Sequence, residues 1–254
     1  MGKLKAIFFD MDGTIVDTEK DGHRVAFNQA FAQFGIPVEW DIQQYQQLLN
    51  IAGGKERMKY YFLNQGGKYI PKDANLDGLV QQLHQLKTEL FISLITEGKL
   101  PLRTGIKRIM EQANEESIAI AICTTSNEKA AKSIIHSLLP NIKINLLLAG
   151  DIVQCKKPDP EIYCLALEKL GLYKNEVVVV EDSENGVVAA KNAGLKVLVT
   201  VNEYTRNENL TLADVILTNL GDRSEKAKVL AGDFNLEEAG VVNMVDLIEL
   251  FNPK

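Results

Sequence analysis

Six short runs of apolar, largely β-branched residues punctuate the chain: KAIFF (5–9), IAIAIC (118–123), INLLLA (144–149), VVVV (177–180), KVLVTV (196–201) and DVILT (214–218). They are continuous, not alternating. A strand covered on both faces is apolar throughout, so these runs predict a parallel sheet flanked by helices. Helix-patterned stretches separate most of them: TGIKRIMEQANEE before the second, EKAAKSIIHSLL after it, PEIYCLALEKLGL before the fourth, and NGVVAAKNAGL between the fourth and fifth. This alternation predicts an α/β fold, a Rossmann-like doubly wound parallel sheet built from residues 1–16 and 101–254, with ligands at the carboxyl ends of its strands.

Residues 17–100 break the alternation. They hold four helix-patterned stretches, HRVAFNQAFAQFG, IQQYQQLLNIA, KERMKYYFLNQ and DGLVQQLHQLKTELFISLI, and no strand signal. An all-helical cap domain inserted after the first strand is the economical expectation. Gly13, Gly98, Pro101 and Gly105 flank it as hinges or as ordinary turns and caps. The tail DFNLEEAGVVNMVDLIELF reads as a loop or short strand followed by an amphipathic helix. No internal repeat is visible.

Composition narrows the function. With 254 residues, 46% apolar and 24% charged, the chain can bury a sizeable core. The net charge of -6 comes without a basic run or aromatic-basic interleaving, which argues against a nucleic-acid partner and for a small molecule. Cys123, Cys155 and Cys164 form no C-x-x-C pair, so neither a disulfide framework nor a zinc site is indicated. No stretch reaches about 18 consecutive apolar residues, so no membrane partner is expected. The MGKLKAIFFD start carries no signal pattern, and Ala6 stands where myristoylation favours Ser or Thr. The expectation is a monomer in the cytoplasm, or in the chloroplast stroma if a transit peptide has been removed.

The strand ends carry the chemistry. Asp10 and Asp12 follow the first run, and side chains two apart on a strand share a face, so the two carboxylates are expected to converge. A bound cation would relieve their repulsion; otherwise one Asp caps the turn before Gly13. Glu181 and Asp182 end the fourth run. Thr124, Thr125, Ser126 and Asn127 end the second and face a helix start, where backbone N–H groups favour anions. Thr125 and Glu128 also fit a capping box. Lys156 and Lys157 precede Pro158, as phosphate ligands or as solvated charges. Four acids, a hydroxyl cluster and a lysine on one rim are the inventory for moving a phosphoryl group with Mg2+, which prefers oxygen ligands. A carboxylate nucleophile would split the displacement into two steps, with a neighbouring acid moving the proton.

DMDGT, the T-T-S-N strand end, Lys157-Pro158 and Glu181-Asp182 resemble the four motifs of the haloacid dehalogenase superfamily in order and spacing, over residues 4 to about 220. The helical insertion resembles the small cap of the β-phosphoglucomutase-like branch. The resemblance implies Asp10 as nucleophile, Asp12 as general acid/base, and Thr124 and Lys157 as phosphate ligands. It further implies Mg2+ on Asp10, the Asp12 carbonyl and Asp182, with Glu181 acting through water or behind them. DTEKDGHRVAFNQAF, YQQLLNIAGGKERMKYY and ICTTSN are similar to the CbbY group of sugar phosphatases, and DTEKDGHR is one residue longer than the DTExxH of many relatives. That similarity implies hydrolysis of xylulose 1,5-bisphosphate to xylulose 5-phosphate.

A bisphosphate needs cations for its second phosphate, and GGKER offers Lys55 and Arg57, with Gly53 and Gly54 admitting backbone amides. The alternative is a helix start with solvated charges. A nucleotide P-loop is excluded, since Glu56 stands where Ser or Thr belongs and no strand precedes it. Glu19 and His23, just beyond the first hinge, are candidates for the sugar hydroxyls. Tyr45 is a further candidate, or a core aromatic. Thr125, Ser126 and Asn127 complete the substrate-binding set. A phosphosugar mutase or another sugar-phosphate phosphatase is the alternative activity. A phospho-acceptor receiver module is disfavoured, because its acceptor lies on a middle strand of a much shorter chain.

Overall fold

The computed structural model describes residues 3–51, 54–70, 75–236 and 240–251. The chain divides into two compact units, Met1–Asp17 with Pro101–Lys254, and Thr18–Leu100.

The first unit is built on a seven-stranded sheet. In chain order its elements are β1 (Ala6–Phe9), α5 (Ile106–Glu115), β2 (Ala119–Cys123), α6 (Glu128–Leu138), β3 (Leu146–Leu148), α7 (Glu161–Leu170), β4 (Val177–Glu181), α8 (Glu184–Asn192), β5 (Lys196–Thr200), β6 (Val215–Leu217), β7 (Val229–Ala231) and α9 (Met244–Phe251). The strand order is β3-β2-β1-β4-β5-β6-β7. The first six are parallel, with Phe9 paired to Ile122 on one side and Val180 on the other. Each of the six expected runs forms one of these strands, five of them shortened by a residue or two at one or both ends and the fourth extended by one, to Glu181.

β1 lies between β2 and β4, so the chain leaves it in one direction and returns on the other side. The loops after β1, β2 and β4 therefore open next to one another at the carboxyl edge, the position where doubly wound sheets bind ligands. Ala6, Phe8, Ala121, Cys123, Val177, Val179, Val197 and Val199 face one layer, where Ile162, Tyr163 and Ala166 of α7 and Val187, Ala189 and Ala190 of α8 cover them. The alternate residues Ile7, Phe9, Ile120, Ile122, Val178, Val180 and Leu198 point the other way and are equally buried.

β7 was not expected. It runs antiparallel to β6 as a run of only three apolar residues, VLA, all exposed, too short to signal a strand. The expected final helix is α9; the stretch before it includes residues 237–239, which lie outside the described residues.

The second unit holds a π-helical turn (Thr18–His23) and α1 (Arg24–Gln33), α2 (Ile42–Leu48), α3 (Gly54–Asn64) and α4 (Leu76–Thr96). A π turn closes over more residues than an α turn, and it takes up TEKDGH, the segment with one residue more than the shorter motif. Asp41 caps α2 by accepting from Gln44 N at 2.7 Å, and Asn75 caps α4 by accepting from Gly78 N at 3.1 Å. The core is aromatic: Phe27, Phe31, Trp40, Tyr45, Tyr61 and Phe62 meet ring to ring. Asn28 exchanges two hydrogen bonds with the Trp40 backbone, at 2.8 and 2.9 Å, fixing the loop over α1. Gly98 and Gly105 sit just after α4 and at the start of α5, so each serves a helix end.

Trp40 is the chain's one tryptophan. Phe31→Ala leaves a cavity against it and is expected to cost the helical unit about 3–5 kcal/mol. Chemical denaturation followed by Trp40 fluorescence measures that loss.

Candidate active site

Asp10 is the first residue past β1, and its backbone N donates to Val180 O of β4 at 3.0 Å, so the strand pairing still holds it. Its side chain is nearly buried. Lys157 Nζ donates to Asp10 Oδ1 at 2.6 Å, to Glu181 Oε1 at 2.7 Å and to Cys123 O at 2.9 Å. These are all three ammonium hydrogens. Lys157 is thus no solvated charge; its side chain is 7% exposed.

Carboxylate oxygens of Asp10, Glu181 and Asp182 lie within 4.8 Å of one another. Burial, Glu181 and Asp12 together outweigh Lys157 and push the Asp10 carboxyl up to about 8. Asp182 is raised too, first by burial and then by Glu181 and Asp10. Burial works against the Lys157 ammonium, but Asp10 and Glu181 more than compensate and hold it above the usual lysine range. Even with Arg103 lowering the Asp182 carboxyl, three carboxyl groups beside one ammonium leave the cluster short of positive charge, with hard oxygen donors only. That donor set fits a divalent cation, whose charge would favour the ionised carboxylates.

Past β1, Asp12 stays close enough to Asp10 for its charge to raise the Asp10 carboxyl. β1 ends at Phe9, and a turn follows in which Gly13 N donates to Val16 O at 2.7 Å. Within that turn Asp12 bridges to Val16. Its Oδ2 accepts from Thr124 Oγ1 at 3.2 Å and from Ser126 Oγ. Glu181, not Asp12, completes the cluster of three carboxylates.

Two glycines make the site possible. Gly13 has φ +87°, and a Cβ there would stand 2.2 Å from Asp182 Oδ2. A Cβ on Gly186, in the first turn of α8, would stand 1.9 Å from the Glu181 carboxylate. Glu181 is otherwise held by Tyr163 Oη, which donates to Oε1 at 2.7 Å, and by Asp182 N, which donates to Oε2 at 3.0 Å. Cys123 is no rival nucleophile, since burial pushes its thiol up to about 12.

At the end of β2, Ser126 N donates to Thr124 Oγ1 at 3.0 Å. The helix cap is Asn127, whose Oδ1 accepts from Lys129 N at 2.9 Å, in place of the expected Thr125–Glu128 box. Thr125 and Asn127 are exposed.

The helical unit has its own polar cluster. Tyr45 Oη donates to Glu19 Oε2 at 2.6 Å and accepts from Arg57 at 3.0 Å, while its ring packs in the aromatic core. Arg57 is buried and also donates to Leu48 O at 2.9 Å and Ile51 O at 3.3 Å, which corrects the alternative of a solvated charge. Lys55 is exposed; Gly54 lies against the His84 ring; Gly53 lies outside the described residues.

Several residues of both clusters were not anticipated. Lys87 Nζ lies 2.9 Å from His23 Nδ1 and over the rings of Phe27 and Phe91. Its signal was present, because Val80, Leu83, Lys87, Phe91 and Ile95 form one buried stripe of α4, and a lysine interrupts it. Arg103 and Asn202 had no such signal. Arg103 donates to Gly13 O, to Thr200 O at 2.8 Å and to Val201 O at 2.6 Å, partners about a hundred positions away. Asn202 donates to Asp182 Oδ2 at 2.7 Å.

Burial lowers the Lys87 ammonium to about 8 from its usual 10.5, with Glu19 opposing and Arg57 assisting. Below pH 8 both folded and unfolded chains carry the proton, and only the folded one bears the cost of burying it. Between 8 and 10.5 the folded chain binds fewer protons, so that cost fades. Lys87→Met is expected to stabilise the protein by about 1–3 kcal/mol at pH 7, after the lost ring contacts are counted, with the gain disappearing above pH 10.5. Urea denaturation across that range measures it.

Residues 4–194 match the model of the haloacid dehalogenase-like hydrolase family. The chain is 46% identical over 233 residues to a CBBY-like protein of Arabidopsis thaliana, covering 89% of this chain and 72% of that one. It is 31% identical over 193 residues to a phosphorylated carbohydrates phosphatase of Thermotoga maritima, covering 76% and 83%. Among solved structures it is similar to CbbY from Rhodobacter sphaeroides in complex with xylulose-(1,5)bisphosphate, with a TM-score of 0.68, 36% identity, and 85% and 94% of the two chains covered. The chain belongs to the haloacid dehalogenase-like hydrolase family.

Proposed function

We propose that the protein is a Mg2+-dependent phosphatase of a small sugar bisphosphate, converting xylulose 1,5-bisphosphate to xylulose 5-phosphate. The observation that carries this is the set of groups around Asp10: Lys157, Glu181 and Asp182 against its carboxylate, with the Thr124 hydroxyl and Asp12 beside them. Similarity to a CbbY structure that holds xylulose-(1,5)bisphosphate supports the substrate.

With Oδ1 held by Lys157, Asp10 Oδ2 attacks phosphorus. The bond to the sugar oxygen breaks, and Asp12 gives that oxygen its proton. Asp12 then takes a proton from water, whose oxygen attacks the phosphorus of the aspartyl-phosphate and restores Asp10. Thr124 and Ser126, now on Asp12, would turn their hydroxyls to the phosphate and release it for this work. Thr124 binds a phosphate oxygen, and Lys157 would exchange its bond to Cys123 O for another. Asp10, Asp182 and the Asp12 carbonyl would hold Mg2+, with Glu181 behind them. When bound, the ion supplies positive charge that offsets charge building on the transferring group.

In this scheme Thr125, Ser126 and Asn127 complete the phosphate end in the first unit. Glu19, His23, Tyr45, Gly54, Lys55 and Arg57 of the helical unit select the sugar and its second phosphate. Lys87, a buried cation beside His23, joins them.

A screen of sugar mono- and bisphosphates with Mg2+ and with EDTA tests the proposal. One phosphate is expected to be released from xylulose 1,5-bisphosphate, EDTA is expected to stop it, and Asp10→Asn is expected to slow it by about a thousandfold or more. Isomer formation from a hexose 1-phosphate without phosphate release would replace the phosphatase by a mutase.

A further inference from the structure

Asp182 presents its two oxygens to different kinds of donor. Oδ1 accepts from the Thr14 hydroxyl at 3.2 Å, a long bond from a group that can rotate away. Oδ2 accepts from Asn202 Nδ2 at 2.7 Å. The Asn202 amide cannot turn in the same manner. Its Oδ1 accepts from Tyr204 N at 2.8 Å and from Thr205 N at 3.1 Å, and Asn202 N donates to Thr205 Oγ1 at 3.2 Å. Flipping the amide would set an oxygen against the carboxylate and an NH2 group against two backbone N–H donors. The orientation is therefore dictated by its partners.

The backbone closes the same side. A Cβ on Gly13 would lie 2.2 Å from Asp182 Oδ2 and 2.8 Å from Asn202 Nδ2, so the Gly13 turn covers that oxygen directly. Arg103 holds the turn in place through Gly13 O and ties it to the ends of β5 and β6 through Thr200 O, Val201 O and Thr218 O. One oxygen of Asp182 is fenced by an immobile amide and a glycine turn. The other faces a hydroxyl that can yield.

We infer that Asn202 is a specificity-determining positioning residue: by occupying Asp182 Oδ2 it restricts that carboxylate to one oxygen toward a cation, and so selects Mg2+ over Ca2+. This rests on the Asp10–Glu181–Asp182 cluster being the cation site. Mg2+ takes six oxygens in a tight octahedron and is served by single carboxylate oxygens, whereas Ca2+ takes six to eight and gains from a carboxylate that offers both. Asn202 donates to Asp182 and, at a longer 3.4 Å, to Gly13 O, and to none of the reacting atoms, so it acts chiefly through Asp182.

The test is calorimetric titration of the intact protein with Mg2+ alone and with Ca2+ alone. Asn202→Ala is expected to lower the ratio of Mg2+ to Ca2+ affinity about tenfold, the scale for losing a group that orients a metal ligand. Asn202→Asp keeps an acceptor for Tyr204 N and Thr205 N but offers Asp182 no donor, and is expected to lower the ratio as well. Thr205→Val weakens the same turn while leaving the amide in place, and is expected to keep the ratio within about twofold of the parent. An unchanged ratio in Asn202→Ala, or an equal loss of both affinities, overturns the inference while leaving the cation site standing. If the parent binds no Mg2+, or binds it undiminished in Asp182→Asn, the cation site itself fails and the inference fails with it.

Discussion

Lys157 places one ammonium among Asp10, Glu181 and the Cys123 carbonyl, with its side chain closed off from water. A buried carboxylate without a counter-charge is costly, and two adjacent ones are worse. The site exists because Lys157 spends every hydrogen on this cluster. It neutralises only part of it. With Asp182 included, the acids still outnumber the ammonium, and burial, then Glu181 and Asp12, hold Asp10 above the usual carboxylate range despite Lys157. That shortfall of positive charge makes the cluster a receptor for a cation.

The sheet's topology brings these groups together without a special device for each. Because β1 sits between β2 and β4, the residues that end those strands, Asp10, Thr124 and Glu181–Asp182, emerge side by side. Lys157 comes from the loop ahead of α7, whose Tyr163 also reaches Glu181. Local backbone completes the assembly. Gly13 and Gly186 leave room where any side chain would strike Asp182 or Glu181, and Arg103 stitches the Gly13 turn to the ends of β5 and β6.

Much of this was legible in the chain. Continuous apolar runs marked all six parallel strands, since double-sided burial leaves that trace, and the acids at two strand ends pointed to the rim they share. What escaped notice has a common physical cause. β7 is short and exposed, so burial imposes no pattern on it. Arg103 and Asn202 act on residues that adjoin them only after folding, and nothing nearby in sequence distinguishes them from ordinary loop residues. Lys87 was readable, as a charge on an apolar helical stripe, and was passed over. The Tyr45 ring is packed in the core while its hydroxyl links Glu19 to Arg57.

The central claim is that Lys157 is the counter-charge on which the acidic cluster depends. A double-mutant cycle on stability, using Lys157→Met, Glu181→Gln and the combined variant in urea denaturation, tests it most directly. Removing Lys157 alone should cost about 3–5 kcal/mol, as breaking a buried pair does, and the cost should shrink markedly when Glu181 is already neutral. Strictly additive losses, or a Lys157→Met variant as stable as the parent, would contradict the account.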